Sequence, residues 1–409
     1  MQNFQPITKK LFPTDYQLID GTDEIFELNF AIWEYENLNK KDLIRRSAYF
    51  KSVEGEPTIH YQTCNLQNLE DIHRNSSLRT KAFFLNGKYS TGYATHSLFP
   101  YRGKFHPQMI RALLNMMGLK PGNVVLDPMS GSATLSVEAN LLGIDSVGVD
   151  VSPFCCLMGR VKTFALNLNS EKLTQITHEQ NKIFKKLNKD KVPHYFIKDG
   201  DDEDRSYYEV ALLAYLDAVG FARRSSKSLS ALFPIVLNRY ITTIKNFQNA
   251  REKLGLKIGK SKIIEDSALK LPLEDNSVDG VITSPPYSFA IDYVDNDKPQ
   301  LEYLGYAPDK LKEKMIGLQG RGISQKLELY FEMLDKVFRE LARVSKKGSK
   351  TIFVVGTNDI QTKGVRLETK IKELAEGQKF KFLFEILKPI KGLQNTMKEE
   401  YILIFENDK

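Results

Sequence analysis

Cysteine and long apolar runs are scarce in this sequence. The three cysteines, Cys64, Cys155 and Cys156, include an adjacent pair that cannot easily bridge, and no C-x-x-C spacing is present. We therefore expect neither a disulfide framework nor a metal site. No apolar run approaches the roughly 18 residues of a membrane-spanning helix, and the opening MQNFQPITKKLFPTDYQ lacks the apolar core of a signal peptide. These absences predict no membrane association and a cytoplasmic location.

Length and charge leave several classes of protein open. The 409 residues suffice for two or three domains, or for one large α/β domain with insertions, and 42% apolar residues is ordinary for a folded protein. The formal net charge of +7 is mild. Such a charge is compatible with a nucleic-acid partner but does not require one.

A doubly wound α/β sheet is indicated from about residue 91 onward. HPQMIRALLNMMG (106–118) has the apolar spacing of a helix, and NVVLD (123–127) is typical of a compact buried strand. The small-residue segment PMSGSATLSVEANLLG then continues into a helix, and DSVGVDVS predicts a second strand ending in Asp150. This succession of strand, turn, helix and strand is the first half of such a sheet.

The second half of the sheet is predicted after a helical interruption. KSKIIEDSALKLP (260–272), VDGVITSPPY and TIFVVGTND (351–359) predict strands, and YFEMLDKVFRELARVSKKG (330–348) predicts a helix that Lys346-Lys347-Gly348 ends. A further helix at about 366–376 precedes KFLFEILKP and EEYILIFEN, which we expect to pair as an antiparallel hairpin.

These patterns divide the chain into three regions. Residues 1–90 have no assignable fold, although Phe26 to Trp33 suggest a strand or a short helix. Residues 91–168 and 260–409 together predict one α/β domain. Residues 169–259 are mostly helical and longer than an ordinary connection, so we interpret them as an insertion. That insertion is either a structural lid or a target-recognition region.

A small-residue turn follows the first strand of the α/β domain and begins a helix. Its residues are Asp127, Pro128, Met129, Ser130, Gly131, Ser132, Ala133 and Thr134. Small side chains let a ligand approach the backbone, and a helix N-terminus offers unpaired N–H groups. Asp127 could accept from an ammonium group, and Asp150 stands about 20 residues on, where an acidic residue binds ribose hydroxyls. No Lys follows as in a phosphate-binding loop, so the pattern favours a nucleoside without phosphates.

The stretch Ser284-Pro285-Pro286-Tyr287 ends another predicted strand. Two consecutive prolines exclude both helix and ladder pairing, which leaves a stiff segment. The Ser284 hydroxyl and the Pro285 carbonyl can both accept from an exocyclic amine, and Tyr287 offers a face on which a flipped base can stack. The alternative is a proline-rich turn that packs an aromatic ring into the core. The position of Ser284-Pro285-Pro286-Tyr287, downstream of the Asp127 turn and Asp150, favours the functional interpretation.

Taken together, these motifs resemble the S-adenosylmethionine-dependent DNA amino-methyltransferases, which modify cytosine N4 or adenine N6. DPMSGSAT is similar to the cofactor loop Asp-Pro-Phe-x-Gly-Ser-Gly-Thr, with Met129 for Phe and Ala133 for Gly. SPPY resembles the catalytic motif in its Ser-first form, which usually accompanies cytosine N4. The resemblance covers residues 91–168 and 260–409. It implies a Rossmann-like class I methyltransferase sheet with a C-terminal antiparallel hairpin, and S-adenosylmethionine as the cofactor.

The resemblance also implies roles for residues outside the two motifs. HSLFPYRGKFHPQMI (96–110) is similar to the segment before the cofactor loop, so Lys104, Phe105 and Pro107 would help to enclose the methionine end. Asp266 corresponds in position to a residue that meets the cofactor's adenine ring, although a strand-end cap is an equal alternative. The Asp-Tyr pair at Asp292 and Tyr293 occurs in a bacterial subgroup and could line the target pocket or simply anchor a loop.

Basic residues provide the candidates for nucleic-acid contact. Arg223 and Arg224 lie in the predicted insertion, and Arg321 stands between two glycines in GLQGRGISQK (317–326), which could be a mobile DNA-contacting loop.

The sequence thus predicts a site-specific DNA methyltransferase acting on cytosine N4 of double-stranded DNA, in restriction–modification, with a possible cognate endonuclease. The motif order, cofactor loop first, is shared with RNA guanine-N2 methyltransferases. Adenine N6 on DNA, guanine N2 on RNA, and a non-catalytic DNA-binding protein on this fold therefore remain as alternatives, in that order.

Overall fold

The computed structural model describes residues 11–20, 22, 25–65, 91–101, 103–189, 202–286, 292–357, 362–389 and 399–409. Within these ranges, no helix combines the length and apolar character needed to cross a membrane.

The described part of the N-terminal region forms a small antiparallel sheet with three helices. Its elements are β1 (Gln17–Leu18), α1 (Ile25–Asn37), α2 (Lys40–Arg46), β2 (Phe50–Val53), β3 (Glu56–Pro57) and α3 (Ile59–Asn65). Phe26 and Phe30 of α1 are buried in one core cluster with Ile110 and Leu113 of the next helix, α4 (Pro107–Met116). This region therefore packs onto one face of the main domain.

A seven-stranded mixed sheet forms the centre of the described structure. Its strands are β4 (Val124–Asp127), β5 (Asp145–Asp150), β6 (Ser261–Glu265), β7 (Val278–Thr283), β8 (Ser345–Thr357), β9 (Phe380–Pro389) and β10 (Glu399–Asn407). They lie in the order β6-β5-β4-β7-β8-β10-β9. The first five are parallel, and β10 enters antiparallel between β8 and β9. The expected Rossmann-like class with a C-terminal hairpin is confirmed.

Helices cover both faces of this sheet because its parallel strands are apolar on both sides. The remaining helices of the main domain are α5 (Thr134–Leu141), α6 (Pro153–Phe164), α11 (Tyr293–Tyr303), α12 (Pro308–Lys312), α13 (Gly322–Val344) and α14 (Leu367–Gly377). Helices α13 and α14 bury one face against Leu126 and Phe353, and helix α4 buries the other against Val125 and Ile352.

The described residues between α6 and β6 form four further helices. They are α7 (Ser170–His178), α8 (Gln180–Lys189), α9 (Asp202–Ala222) and α10 (Leu229–Leu254). Their apolar side chains share a core cluster with α6 and with Val294 and Leu301 of α11. The helical interruption is thus packed against the helix that follows the Ser284-Pro285-Pro286 segment.

The structure corrects one local expectation and decides between the two alternatives left open for another. Lys346-Lys347-Gly348 does not end a helix but belongs to β8, which starts at Ser345 because Ser345 pairs with Val278 of β7. The ambiguous stretch around Phe26 to Trp33 is part of helix α1. In both places the local pattern was decided by packing partners far away in sequence.

We predict that Gly259 is needed for the close approach of its segment to the end of α5. A Cβ at this position would overlap the carbonyl oxygen of Ile144, which is backbone and cannot move aside cheaply. Gly259→Ala should therefore lower the free energy of unfolding by about 1–3 kcal/mol, as overpacking does. Urea denaturation measures the change.

Gly377→Ala is the matched control, because a Cβ on this exposed residue at the end of α14 would meet nothing within 4 Å. It should leave the stability unchanged or raise it slightly, since alanine favours helix over glycine. Equal losses for both variants would contradict the steric explanation.

Candidate active site

Three side chains meet where neighbouring parallel strands end. Asp127 ends β4, Asp150 ends β5 and Thr283 ends β7. Strand β4 pairs with β5 on one side and with β7 on the other, so all three lie at the same edge of the sheet. The chain runs outward from β4 to β5 and β6, and then crosses to β7 on the other side of β4. Open α/β sheets bind ligands at such a switch point, where the strand order reverses.

Asp127 is almost completely buried, with 1% of its surface exposed. Its Oδ1 accepts hydrogen bonds from the Thr283 hydroxyl at 2.9 Å and from the Met129 N–H at 3.2 Å. Burial nevertheless raises the pKa of Asp127 to about 7, and the charge of Asp150 acts in the same direction. Within the described structure, Oδ2 has no hydrogen-bond partner and can accept from a ligand.

The turn after Asp127 folds back over the end of β5. Ser130 donates its N–H to the Val149 carbonyl at 2.9 Å, and Gly131 donates to Asp150 Oδ2 at 2.8 Å. Gly131 has φ +46°, and a Cβ on it would project into open space. Gly148 permits the contact, because a Cβ there would lie 3.0 Å from the Ser130 Cβ. The turn therefore leaves room for a ligand beside its backbone.

The buried Lys162 holds the turn at the start of α5. Ala133 takes a left-handed conformation, and the Ser132 and Thr134 hydroxyls lie 3.1 Å apart. Lys162 Nζ donates to the Ser132 carbonyl at 3.2 Å. Burial, together with the charge of Lys104, lowers the pKa of Lys162 to about 7. Pro128 and Ser132 are buried, whereas Met129 is only half-buried and packs against the core.

Asp150 is the second carboxylate of the site. Its Oδ1 accepts from the Ser152 N–H at 2.8 Å, and its backbone carbonyl accepts from the Asp266 N–H at 3.1 Å. Burial raises the pKa of Asp150. The structure therefore brings Asp266 next to Asp150, although its exposed carboxylate caps the following turn through the Ser267 N–H.

The proline segment follows directly from the buried end of β7. Ser284 and Pro286 are half-buried and Pro285 is buried, whereas Tyr287 lies outside the described residues. Sequence reasoning missed Thr283, whose hydroxyl joins this segment to Asp127. A threonine at a strand end is common, so its pattern gave no specific signal.

Lys104, Phe105 and Pro107 lie in the segment that leads into α4. Phe105 packs against the core cluster of the N-terminal region, and Pro107 begins α4. Burial lowers the pKa of Lys104. This segment is anchored by Glu138 of α5, a further residue that sequence reasoning missed: its carboxylate lies 2.7 Å from His96 Nε2 and accepts from Arg111 Nε at 2.9 Å.

The predicted substrate residues are not all gathered at this edge. Asp292 caps α11 through the Asp295 N–H and lies 2.8 Å from Lys312 Nζ, whereas Tyr293 stacks on Tyr101 at a centroid distance of 6.4 Å. Arg223 and Arg224 are exposed in the turn between α9 and α10. Arg321 is exposed at the N-terminus of α13. Their roles in binding stay predictions.

Comparisons with known proteins find methyltransferases among the proteins similar to this chain. Residues 97–204, which include the Asp127 turn and Asp150, match the UPF0020 family model, described as an RMKL-like methyltransferase domain. The chain is 26% identical over 275 residues to the Type II methyltransferase M.BsoBI of Geobacillus stearothermophilus, covering 53% of this chain and 54% of that protein.

A shorter match joins the chain to a tRNA (guanine(10)-N2)-dimethyltransferase of Methanothermobacter thermautotrophicus, 38% identical over 53 residues, or 13% of this chain and 16% of that protein. The chain therefore spans about half or less of the length of these two relatives. A solved SAM-dependent methyltransferase from Methanosarcina mazei aligns with 9% identity and a TM-score of 0.35, over 72% of this chain and 97% of its own. The family model supports the expectation of a methyltransferase domain over residues 97–204.

We predict that Asp127 makes the stability of the protein depend on pH. Its folded pKa of about 7 lies above that of an unfolded aspartate, about 4. The stability that its protonated form contributes is complete below the unfolded pKa and is lost as the pH rises to the folded pKa. The free energy of unfolding of the wild-type protein should therefore fall between about pH 4 and pH 7. In Asp127→Asn this fall should be smaller by roughly 2–4 kcal/mol.

Denaturant unfolding of the cofactor-free protein across this pH range checks the prediction. Asp309→Asn, which removes an exposed carboxylate from α12, should retain the wild-type pH dependence. An Asp127→Asn curve parallel to the wild-type curve would mean that Asp127 is already ionised at low pH.

Proposed function

We propose that this protein is a cytoplasmic, site-specific DNA methyltransferase that transfers a methyl group from S-adenosylmethionine to the N4 amine of a flipped cytosine, in a restriction–modification system with a cognate endonuclease. The observation that carries the proposal is the hydrogen bond from Thr283 to Asp127. It holds the Ser284-Pro285-Pro286 segment beside the turn that we propose as the nucleoside-binding turn.

The residues at the switch point fit S-adenosylmethionine by their chemistry. The open acceptor of Asp127 suits the ammonium group of the methionine part, and Asp150 suits the ribose hydroxyls. Gly131 leaves the backbone accessible, and no phosphate-binding lysine is needed for such a ligand. Lys104, Phe105, Pro107 and Asp266 are proposed to close the site around the two ends of the cofactor.

The bound cofactor supplies an activated methyl group, so the target amine needs positioning rather than a protein nucleophile. Ser284 and the Pro285 carbonyl accept from the amine and aim its lone pair, and the two prolines keep these acceptors rigid. Tyr287 stacks on the flipped base. The amine held by Ser284 and Pro285 would gain the methyl group as the carbon–sulfur bond breaks, and it would release one proton to solvent.

The basic side chains of the helical insertion stand next to the helix that follows the catalytic segment. Tyr303 of α11 donates to the Leu187 carbonyl of α8 at 2.6 Å, and Gln300 of α11 packs against Gly220 near the end of α9. Exposed lysines of α8 and the exposed Arg223 and Arg224 therefore flank α11. We propose that this surface contacts the phosphate backbone, as target-recognition regions do. Arg321, Asp292 and Tyr293 are proposed as further contacts near the target.

Guanine N2 of RNA is the second candidate target. It is favoured by the match to a tRNA guanine-N2 dimethyltransferase. The Ser-first motif and the longer match to M.BsoBI favour DNA. Adenine N6 of DNA is an alternative target for the same mechanism, and it would require only that the pocket accept adenine instead of cytosine.

The first functional prediction concerns the product. DNA from cells that express this protein should contain 4-methylcytosine, and mass spectrometry of digested DNA and RNA measures it. Tyr287→Ala should reduce methyl transfer by at least tenfold, because stacking on an aromatic side chain contributes about 1–3 kcal/mol per base. Ser284→Ala should also slow transfer, since it misorients the amine.

Both variants should bind S-adenosylmethionine as the wild-type protein does. Finding only 6-methyladenine would change the base and keep the enzyme class, whereas methylguanine in RNA without any DNA product would move the substrate to RNA. Unchanged rates for Tyr287→Ala would remove this residue from the target site.

The second functional prediction concerns the surface that binds DNA. The double substitution Arg223→Gln with Arg224→Gln should weaken DNA binding and flatten its dependence on salt. The log–log slope should fall by up to about 0.9 for each phosphate that the variant no longer neutralises. Cofactor affinity should not change. Fluorescence anisotropy at several salt concentrations measures the slope.

The double substitution Lys336→Gln with Arg339→Gln is the matched control, because both residues are exposed on α13. They lie beside Asp335, whose carboxylate accepts from Gln378 at the end of α14. This control removes the same charge far from α11 and should keep the wild-type slope. If the two double variants behave alike, the insertion is a structural lid.

A further inference from the structure

Helix α11 carries a buried carboxylate that the sequence motifs do not account for. Asp297 is 7% exposed, and its Oδ2 accepts from the Tyr101 hydroxyl at 3.1 Å. Within the described residues, Asp297 makes no ion pair and its Oδ1 has no hydrogen-bond donor. A carboxylate removed from water in this way is unfavourable unless something else donates to it.

The tyrosine that binds Asp297 also contacts the helix that follows Asp150. The Tyr101 hydroxyl lies 3.6 Å from Cys155 Sγ, and the Cys155 N–H donates to Ser152 Oγ at 3.3 Å. Ser152 in turn donates its N–H to Asp150 Oδ1. One short series of contacts thus joins Asp297 to the carboxylate at the end of β5, and Asp297 lies on the nucleoside side of the site.

The electrostatic surroundings agree with this geometry. Burial raises the pKa of Asp297 to about 7, the Tyr101 hydrogen bond lowers it, and the charge of Asp150 raises it further. The two carboxylates are therefore close enough to repel each other. A ligand that offers several donors between them would relieve this repulsion.

We propose that Asp297 is a further cofactor-binding residue, which Tyr101 orients to accept a hydrogen bond from the nucleoside part of S-adenosylmethionine opposite Asp150. This inference rests on the proposed function. The proposed contact comes from the helix that follows the catalytic segment, whereas the other proposed cofactor residues all precede that segment in the sequence. Cofactor binding and the placement of α11 are then linked through one side chain.

Calorimetric titration with S-adenosylmethionine and with its demethylated product, S-adenosylhomocysteine, tests the inference. Asp297→Asn should weaken both ligands by about tenfold and by the same factor, because the nucleoside part is common to both. Tyr101→Phe keeps the ring that stacks on Tyr293 and removes only the hydroxyl, so it should weaken both ligands less. Thermal unfolding identifies any variant that has lost its fold, and Tyr101→Phe then carries the test.

Asp295→Asn is the matched control, since Asp295 is an exposed carboxylate on the same helix that pairs with Lys312. It should bind both ligands as the wild-type protein does. Wild-type affinity for both ligands in folded Asp297→Asn and Tyr101→Phe overturns the inference. So does a loss confined to S-adenosylmethionine, which would indicate a contact with the sulfonium charge. A wild-type protein that binds neither ligand overturns the proposed function instead.

Discussion

The hydrogen bond between Thr283 and Asp127 is the interaction on which the candidate site depends. Backbone pairing of β4 with β7 joins Leu126 to Val281, one position short of Asp127. Beyond it, the two strands continue into two different segments, the small-residue turn after Asp127 and a stiff pair of prolines after Ser284. A buried hydroxyl that donates to a buried carboxylate is costly to leave unpaired, so it fixes the two segments relative to each other.

The buried carboxylates of this protein fall into two groups with different physical consequences. Burial opposes the ionisation of Glu138, but Arg111 and His96 outweigh it, and its pKa is lowered to about 2. This carboxylate is satisfied by the protein itself and serves to hold the segment before α4. Asp127 and Asp297 have hydroxyl partners but no cation among the described residues, and burial raises the pKa of each to about 7. In the proposed function, these two incompletely paired carboxylates are the groups that the cofactor would complete.

Local signals explain the part of the fold and of the site that could be predicted from the sequence. Apolar runs such as NVVLD and VDGVIT define buried strands, and Asp127, Asp150 and Ser284 then come together because parallel strands end at one edge of the sheet. The remaining features depend on contacts between residues far apart in sequence. Asp297 looks like one acid among several in VDNDKPQ, and only the packing of α11 distinguishes it from the exposed Asp295.

Helix α11 connects three parts of the protein that the sequence presents separately. Its first turn carries Tyr293, which stacks on Tyr101 of the segment before α4, and its middle carries Asp297, which binds the same tyrosine. Its last turns contact the insertion through Gln300 and Tyr303. All of these contacts are made by one continuous helix. In the proposed function, nucleic acid that shifts the insertion would therefore act through α11 on the cofactor side of the site as well as on the catalytic segment that precedes it.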